Sequence, residues 1–224
     1  MLELYAINIE ECISPEKYEE WLYVVTDEQR TRIKQFRFLA DAKRTLYGEI
    51  LIRYLACKKL HIQNRDIEIE RNAYGKPSLR NYHNFHYNIS HSGSWVISAI
   101  SDQTIGVDIE QVKPIDLGIA KRYFSKSEYE SIMSESKDNR QNVFYQFWTA
   151  KESYVKYIGK GLSIPLNSFS VFGWKSRYCT IDIDTNCLIQ TLKLGDYVIS
   201  ICHSILEFRQ MSIIRHVQLE EVKL

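Results

Sequence analysis

Apolar positions along this 224-residue chain fall into two periods, one of strands and one of helices. Residues 2–9 alternate and read as a strand. Ser14-Pro15-Glu16 reads as a helix start, with serine as the cap and proline in the first turn. Residues 27–38 form a charged helix. Residues 41–60 form a strongly periodic one, with Leu46, Ile50, Leu51, Tyr54 and Leu55 on the buried face. Runs 67–71, 85–89 and 95–101 read as strands. Runs 128–136 and 142–157 read as helices. Four further strands are expected at 168–172, 178–184, 187–193 and 197–203. No low-complexity linker interrupts the pattern. Asp102-Gln103 is a short polar turn and the best boundary, giving an N-terminal half, 1–102, and a C-terminal half, 103–224.

A weak internal repeat supports two similar halves. Ala42-Lys43-Arg44-Thr45 is similar to Ala150-Lys151-Glu152-Ser153, and both open a long helix. Trp95-Val96-Ile97-Ser98 is similar to Tyr197-Val198-Ile199-Ser200, and both sit in strands. The expected architecture is α+β. Each half carries a small, mainly antiparallel sheet packed on a long helix, and the active site lies in the cleft between two pseudo-symmetric halves. In that arrangement Arg44 faces Glu152 across the pseudo-dyad.

Chemistry concentrates in Gly106-Val107-Asp108-Ile109-Glu110 and in Trp148-Thr149-Ala150-Lys151-Glu152-Ser153-Tyr154-Val155-Lys156. In the first, both acids point to one face of a strand and both aliphatics to the other. Two ionised carboxylates that close repel by roughly 4 kcal/mol at an effective dielectric near 20. A hard divalent cation offsets this, and Mg²⁺ uses a few carboxylates together with phosphate oxygens. In the second, Trp148, Glu152 and Lys156 share one helical stripe. Glu152 can reach the same metal or take a proton, and Lys156 can neutralise a phosphate. A Glu–Lys pair at this spacing is by itself an ordinary surface ion pair. A lone D-x-E is by itself a solvated strand face. Their conjunction favours a site.

Upstream, Tyr74-Gly75-Lys76-Pro77 is a turn, and Asn88-Ile89-Ser90-His91-Ser92-Gly93-Ser94 reads as a polar loop with the hydroxyls, imidazole and free N–H groups of an anion site. Each has an ordinary reading too, as a surface turn and as a loop with a structural histidine. The ordered set YGKP, NISHS, GVDIE and W-x-x-K-E-x-x-x-K resembles the 4′-phosphopantetheinyl transferases of the surfactin-synthetase-activating type, from about residue 26 to 201. Enzymes of that family move the phosphopantetheine arm of coenzyme A onto a serine of an apo carrier protein and release 3′,5′-ADP. The resemblance implies that Asp108, Glu110 and Glu152 hold Mg²⁺, with Mn²⁺ as a substitute. It implies that Lys156 and the metal stabilise the pyrophosphate, and that Glu152 receives the serine proton. It also implies that Arg44, Thr45, Lys76, Pro77, Ser90, His91 and Lys151 bind the nucleotide and its phosphates, His91 at the 3′-phosphate. Arg32 falls where relatives place a lysine near the nucleotide, whereas Gln29 departs from a second such lysine. Peptidyl, aryl and acyl carriers are all candidate partners, and the resemblance implies a role in non-ribosomal peptide or polyketide synthesis, with a fatty-acid role also open.

Composition changes this picture little. A net charge of +1 gives no global basic field for nucleic acid. No apolar run approaches the ~18 residues of a membrane span, and residues 1–9 lack the features of a signal peptide. Cys12, Cys57, Cys179, Cys187 and Cys202 are odd in number and form no C-x-x-C, as expected of reduced thiols in a cytoplasm. Two fused halves make a monomer sufficient. Lys121-Arg122-Tyr123-Phe124-Ser125-Lys126 is a basic, aromatic patch suited to an acidic carrier, with Tyr123 or Phe124 as an apolar anchor. Three other readings remain: a metal-dependent phosphohydrolase or nucleotidyl transferase, a module that binds without chemistry, and a zinc site from His83, His86 and His91.

Overall fold

The computed structural model describes residues 2–11, 13–204 and 214–224, so Cys12 lies outside the described residues. The first half begins with strand β1 (Leu2–Asn8), followed by helices α1 (Pro15–Val24), α2 (Asp27–Lys34) and α3 (Leu39–Leu60). Ser14 caps α1 and Pro15 opens it, as the sequence predicts. The charged segment expected as one helix over 27–38 stops at Lys34, and α3 begins at Leu39. Short strands β2 (Ile69–Arg71) and β3 (Pro77–Leu79) pair as a separate ribbon. Strands β4 (His86–Ser92) and β5 (Trp95–Ser101) form a hairpin, and β5 also pairs antiparallel with β1.

The second half repeats this order. Strand β6 (Ile105–Gln111) is followed by α4 (Gly118–Tyr123), α5 (Lys126–Ser134) and α6 (Arg140–Ile158). Strands β7 (Val171–Phe172), β8 (Tyr178–Ile181), β9 (Asp184–Leu194) and β10 (Tyr197–Ser204) complete its sheet. Each half thus runs strand, long helix, antiparallel hairpin. The chain then returns to the first half, where β11 (Arg215–His216) pairs parallel with β1. Val217, Leu219 and Val222 pack into the first core there. A division at residue 102 therefore leaves this tail with the half it does not pack against.

Among the described residues, three apolar clusters explain the layering. The first lies between α1–α3 and one face of the β1–β5–β4 sheet, and Leu46, Ile50, Leu51 and Leu55 of α3 are fully buried in it. The second lies between α6 and the sheet of β6 and β10. The third joins the two sheets face to face. Leu4, Ala6, Ile97 and Ala99 meet Val107, Ile109, Ile199 and Ile201 there. The halves share a core, so the site forms where their edges meet and not in an open gap. In strand order the sheets are β11-β1-β5-β4 and β6-β10-β9-β8-β7, and edge strands β4 and β6 run side by side.

Candidate active site

Strand β6 divides its side chains as its alternation predicts. Val107 and Ile109 are fully buried between the sheets, and Asp108 and Glu110 face α6. Helix α6 lies directly on this strand because residue 106 has no side chain. A Cβ there would stand 2.0 Å from the Ser153 carbonyl oxygen and 2.4 Å from the Tyr157 nitrogen. Deeper in the same contact, Thr149 of α6 and Ser200 of β10 share a 2.8 Å hydrogen bond between hydroxyls, and Ser200 is the register partner of Asp108.

That approach brings Lys156 Nζ to 2.7 Å from Asp108 Oδ1 and 3.0 Å from Ser90 Oγ. Ser90 Oγ donates to the same carboxylate oxygen at 2.8 Å, and Ser92 Oγ donates to Glu110 Oε2 at 2.7 Å. Asp108 Oδ2 is buried with no hydrogen-bond partner. Asp108, Glu110, Glu152, Lys156, Trp148, Ser90 and His91 line one cavity of about 1420 Å³. Burial, and after it the Asp108 charge, raises the carboxyl pKa of both Glu110 and Glu152. Among the described residues, no three His, Cys, Asp or Glu side chains converge closely enough to hold a metal ion as they stand. Asp108 Oδ1 is instead held by Lys156 and Ser90. The donor set still fits a hard cation: oxygen ligands from one strand and one helix, with an orphaned buried carboxylate oxygen among them.

The other predicted residues separate. His91 shares the cavity, with its pKa lowered by desolvation and then by the Arg44 charge. Arg44 does not face Glu152. Its Nη1 donates to the Gly93 carbonyl at 2.7 Å, and Nη2 pairs with Asp41. Thr45 is half-buried on α3. Lys76 and Pro77 line a smaller cavity of about 270 Å³ that shares Glu152 and Lys156 with the first. Lys76 Nζ itself is turned to the seam, donating to Ile105 O at 3.1 Å and Tyr157 O at 2.9 Å, and burial lowers its pKa to about 8. Arg32 lines a different depression, with Arg53, Arg71 and Arg80. Gln29 completes the capping box of α2 by accepting from the Thr26 nitrogen, so its departure from lysine has a local use.

Several expectations are corrected. Lys151 does not reach the cavity. It is fully buried, 2.9 Å from Glu128 Oε1, and donates to the carbonyls of Leu166 at 2.8 Å and Phe169 at 2.6 Å. Its ammonium is spent on holding the 166–169 turn, whose Leu166 and Asn167 wall the cavity. Lys151→Met should therefore lower the melting temperature strongly, because breaking a buried pair costs about 3–5 kcal/mol. In Lys151→Met/Glu128→Gln, thermal unfolding should recover part of the loss. Phe124 is likewise buried, stacked at 5.3 Å on Phe144, so the exposed aromatic of the basic patch is Tyr123, at 42%. The Asn88–Ser92 segment is strand, not loop. His86 and His91 stand on opposite faces of that strand, five residues or about 16 Å apart, too far to share an ion. Sequence reasoning missed Gly106 and Thr149. It took Asn88 and Ser92 as part of an anion-binding loop and missed their pairing with β6, although their alternation with Ser90 is a strand period.

Two family models divide the chain. One for the N-terminal part of 4′-phosphopantetheinyl transferases matches residues 13–103, and one for the 4′-phosphopantetheinyl transferase superfamily matches residues 104–202. The chain is 39% identical over 205 residues to 4′-phosphopantetheinyl transferase ffp of Bacillus subtilis, covering 90% of this chain and 92% of that protein. The chain belongs to the 4′-phosphopantetheinyl transferase family. Sfp of Bacillus subtilis (strain 168) is 38% identical with the same coverage. The transferase gsp of Aneurinibacillus migulanus is 37% identical over 169 residues, 75% of this chain and 70% of gsp. In this chain GVDIE supplies Asp108 and Glu110 to the cavity, and the α6 stripe supplies Trp148, Glu152 and Lys156.

Proposed function

We propose that this chain transfers the 4′-phosphopantetheine arm of coenzyme A to a serine of an apo carrier protein and releases 3′,5′-ADP. The observation that carries this reading is Asp108, buried beside Lys156 with one oxygen unpartnered, in a cavity that also presents Glu110, Glu152 and His91. Asp108, Glu110 and Glu152 would hold a magnesium ion, with manganese as a substitute, and a bound ion there neutralises charge on the pyrophosphate oxygens. Lys156 offers its ammonium to the same phosphates. His91, with Arg44 behind it, suits the 3′-phosphate, and the smaller cavity at Tyr74, Lys76 and Pro77 suits the nucleotide. Arg32 and Thr45 lie off both cavities and have no part in this contact set.

In the reaction, the carrier serine Oγ bonds to the phosphorus that bears the arm, the P–O bond to 3′,5′-ADP breaks, and the serine proton passes to Glu152. Burial and then the Asp108 charge raise the carboxyl pKa of Glu152, as they do that of Glu110, which suits a proton acceptor. Measurement of 3′,5′-ADP with and without apo carrier tests this directly. Release only with carrier is expected. Release from coenzyme A alone would mean a phosphohydrolase, and tight coenzyme A binding with no release would mean a binding module.

Carrier docking is assigned to Lys121, Arg122 and Tyr123, because Arg122 and Tyr123 line the same cavity as the carboxylates and Lys121 and Arg122 carry positive charge beside it. Lys121→Glu/Arg122→Glu should raise the carrier KM and leave the coenzyme A KM unchanged in steady-state assays. Peptidyl, aryl and acyl carriers all remain substrates of this proposal, with non-ribosomal peptide or polyketide synthesis as the setting. A cytoplasmic monomer suits it. No described helix is long and apolar enough to cross a membrane, and Cys57, Cys179, Cys187 and Cys202 are free thiols.

A further inference from the structure

Strands β4 and β6 are each the edge of a sheet, and an edge strand leaves a row of backbone N–H groups to be satisfied. Between these two edges the pairing is made by side chains. Asn88 Oδ1 accepts from the Val107 nitrogen at 2.9 Å, Ser90 Oγ from the Ile109 nitrogen at 3.3 Å, and Ser92 Oγ from the Gln111 nitrogen at 3.1 Å. Alternate residues of one strand meet alternate residues of the other. The two repeats match because both strands advance about 6.6 Å per two residues. Asn88, Ser90 and Ser92 share the face of β4 that looks toward β6, while Ile89 packs near Gly48 of α3.

The serines do more than accept. Ser90 Oγ donates to Asp108 and Ser92 Oγ donates to Glu110, so each hydroxyl is held between a β6 N–H and the carboxylate beside it. We propose that Asn88, Ser90 and Ser92 are positioning residues, a side-chain ladder that fixes the register of the two halves and aims Asp108 and Glu110. The alternative is that the serine hydroxyls are direct coenzyme A contacts, as the family resemblance implies for Ser90. A hydroxyl with both a backbone donor and a carboxylate acceptor engaged has little capacity left for a phosphate. A slip of one residue would replace the ladder by Ile89 and His91 and break every rung at once. The inference rests on the reading of the carboxylates as the reaction site.

Ser92 is the test position, since it is half-buried at the open end of the ladder. In Ser92→Ala, kcat and the affinity for Mn²⁺ should each fall about 10- to 100-fold, with the coenzyme A Kd by calorimetry within about twofold of wild type. Ser92→Thr keeps the hydroxyl and should restore both quantities. Asn88→Ala touches no carboxylate and should lower the melting temperature. A coenzyme A Kd that weakens as much as kcat falls, with Mn²⁺ affinity unchanged, would overturn the ladder in favour of direct contact. Unchanged kcat and Mn²⁺ affinity in Ser92→Ala would overturn it outright. Mn²⁺ affinity and melting temperature do not depend on turnover, so they judge the ladder even if the chain proves not to be a transferase.

Discussion

Glu152→Gln should lower kcat by about 10²- to 10⁴-fold, the range that a positioned base supplies. The substitution keeps the size of the side chain and removes its charge. Glu152 lines the cavity with Asp108, Glu110 and Lys156, and its raised carboxyl pKa comes from burial and then from Asp108. Taking one of three like charges out of this group relieves repulsion, so the fold should be at least as stable as wild type. Loss of turnover with a retained or raised melting temperature is the expected pair of results, read by stopped assays and by thermal unfolding. Loss of both together would mean that Glu152 serves the fold and not the chemistry.

Gly106→Ala is the second large effect. A new Cβ would meet the Ser153 carbonyl oxygen and the Tyr157 nitrogen, both backbone atoms of α6, far inside van der Waals distance. No rotamer change relieves such a clash, so the helix must move off the strand. Overpacking of a core costs about 1–3 kcal/mol, occasionally more. The functional loss should exceed the stability loss, because a shift of about 1 Å at a reacting site can cost 10²-fold. Denaturant unfolding and kcat measured on the same preparation give the comparison. A destabilised variant with wild-type kcat would show that helix α6 need not rest on β6 for turnover.

The parts of the site legible in the sequence were those set by a single element. The alternation in 106–110 placed both carboxylates on one face, and the spacing of Trp148, Glu152 and Lys156 placed them on one stripe. What could not be read was which elements meet. Lys151 sits one residue from Glu152 and carries the same kind of charge as Lys156, but a helix turns about 100° per residue. It therefore points to Glu128 and the 166–169 turn, away from the cavity. Asn88–Ser92 reads as a loop because its residues are polar. It is a strand because its backbone pairs with β5, and its polar side chains satisfy the edge of a second sheet, a partner invisible in local sequence. Strand, long helix and hairpin recur in both halves, but the weak repeat misplaces them: Ala42–Thr45 lies near the start of α3 and Ala150–Ser153 in the second half of α6 rather than opening it, and the return of residues 215–222 to the first core was not legible either.

The most direct test of the central claim is the intact mass of an apo carrier protein after incubation with this chain, coenzyme A and Mg²⁺. A gain of one phosphopantetheine per carrier is expected, abolished by EDTA, restored by Mn²⁺, and lost with Glu152→Gln. An unchanged mass across peptidyl, aryl and acyl carriers, or a gain that survives EDTA and Glu152→Gln, would contradict it.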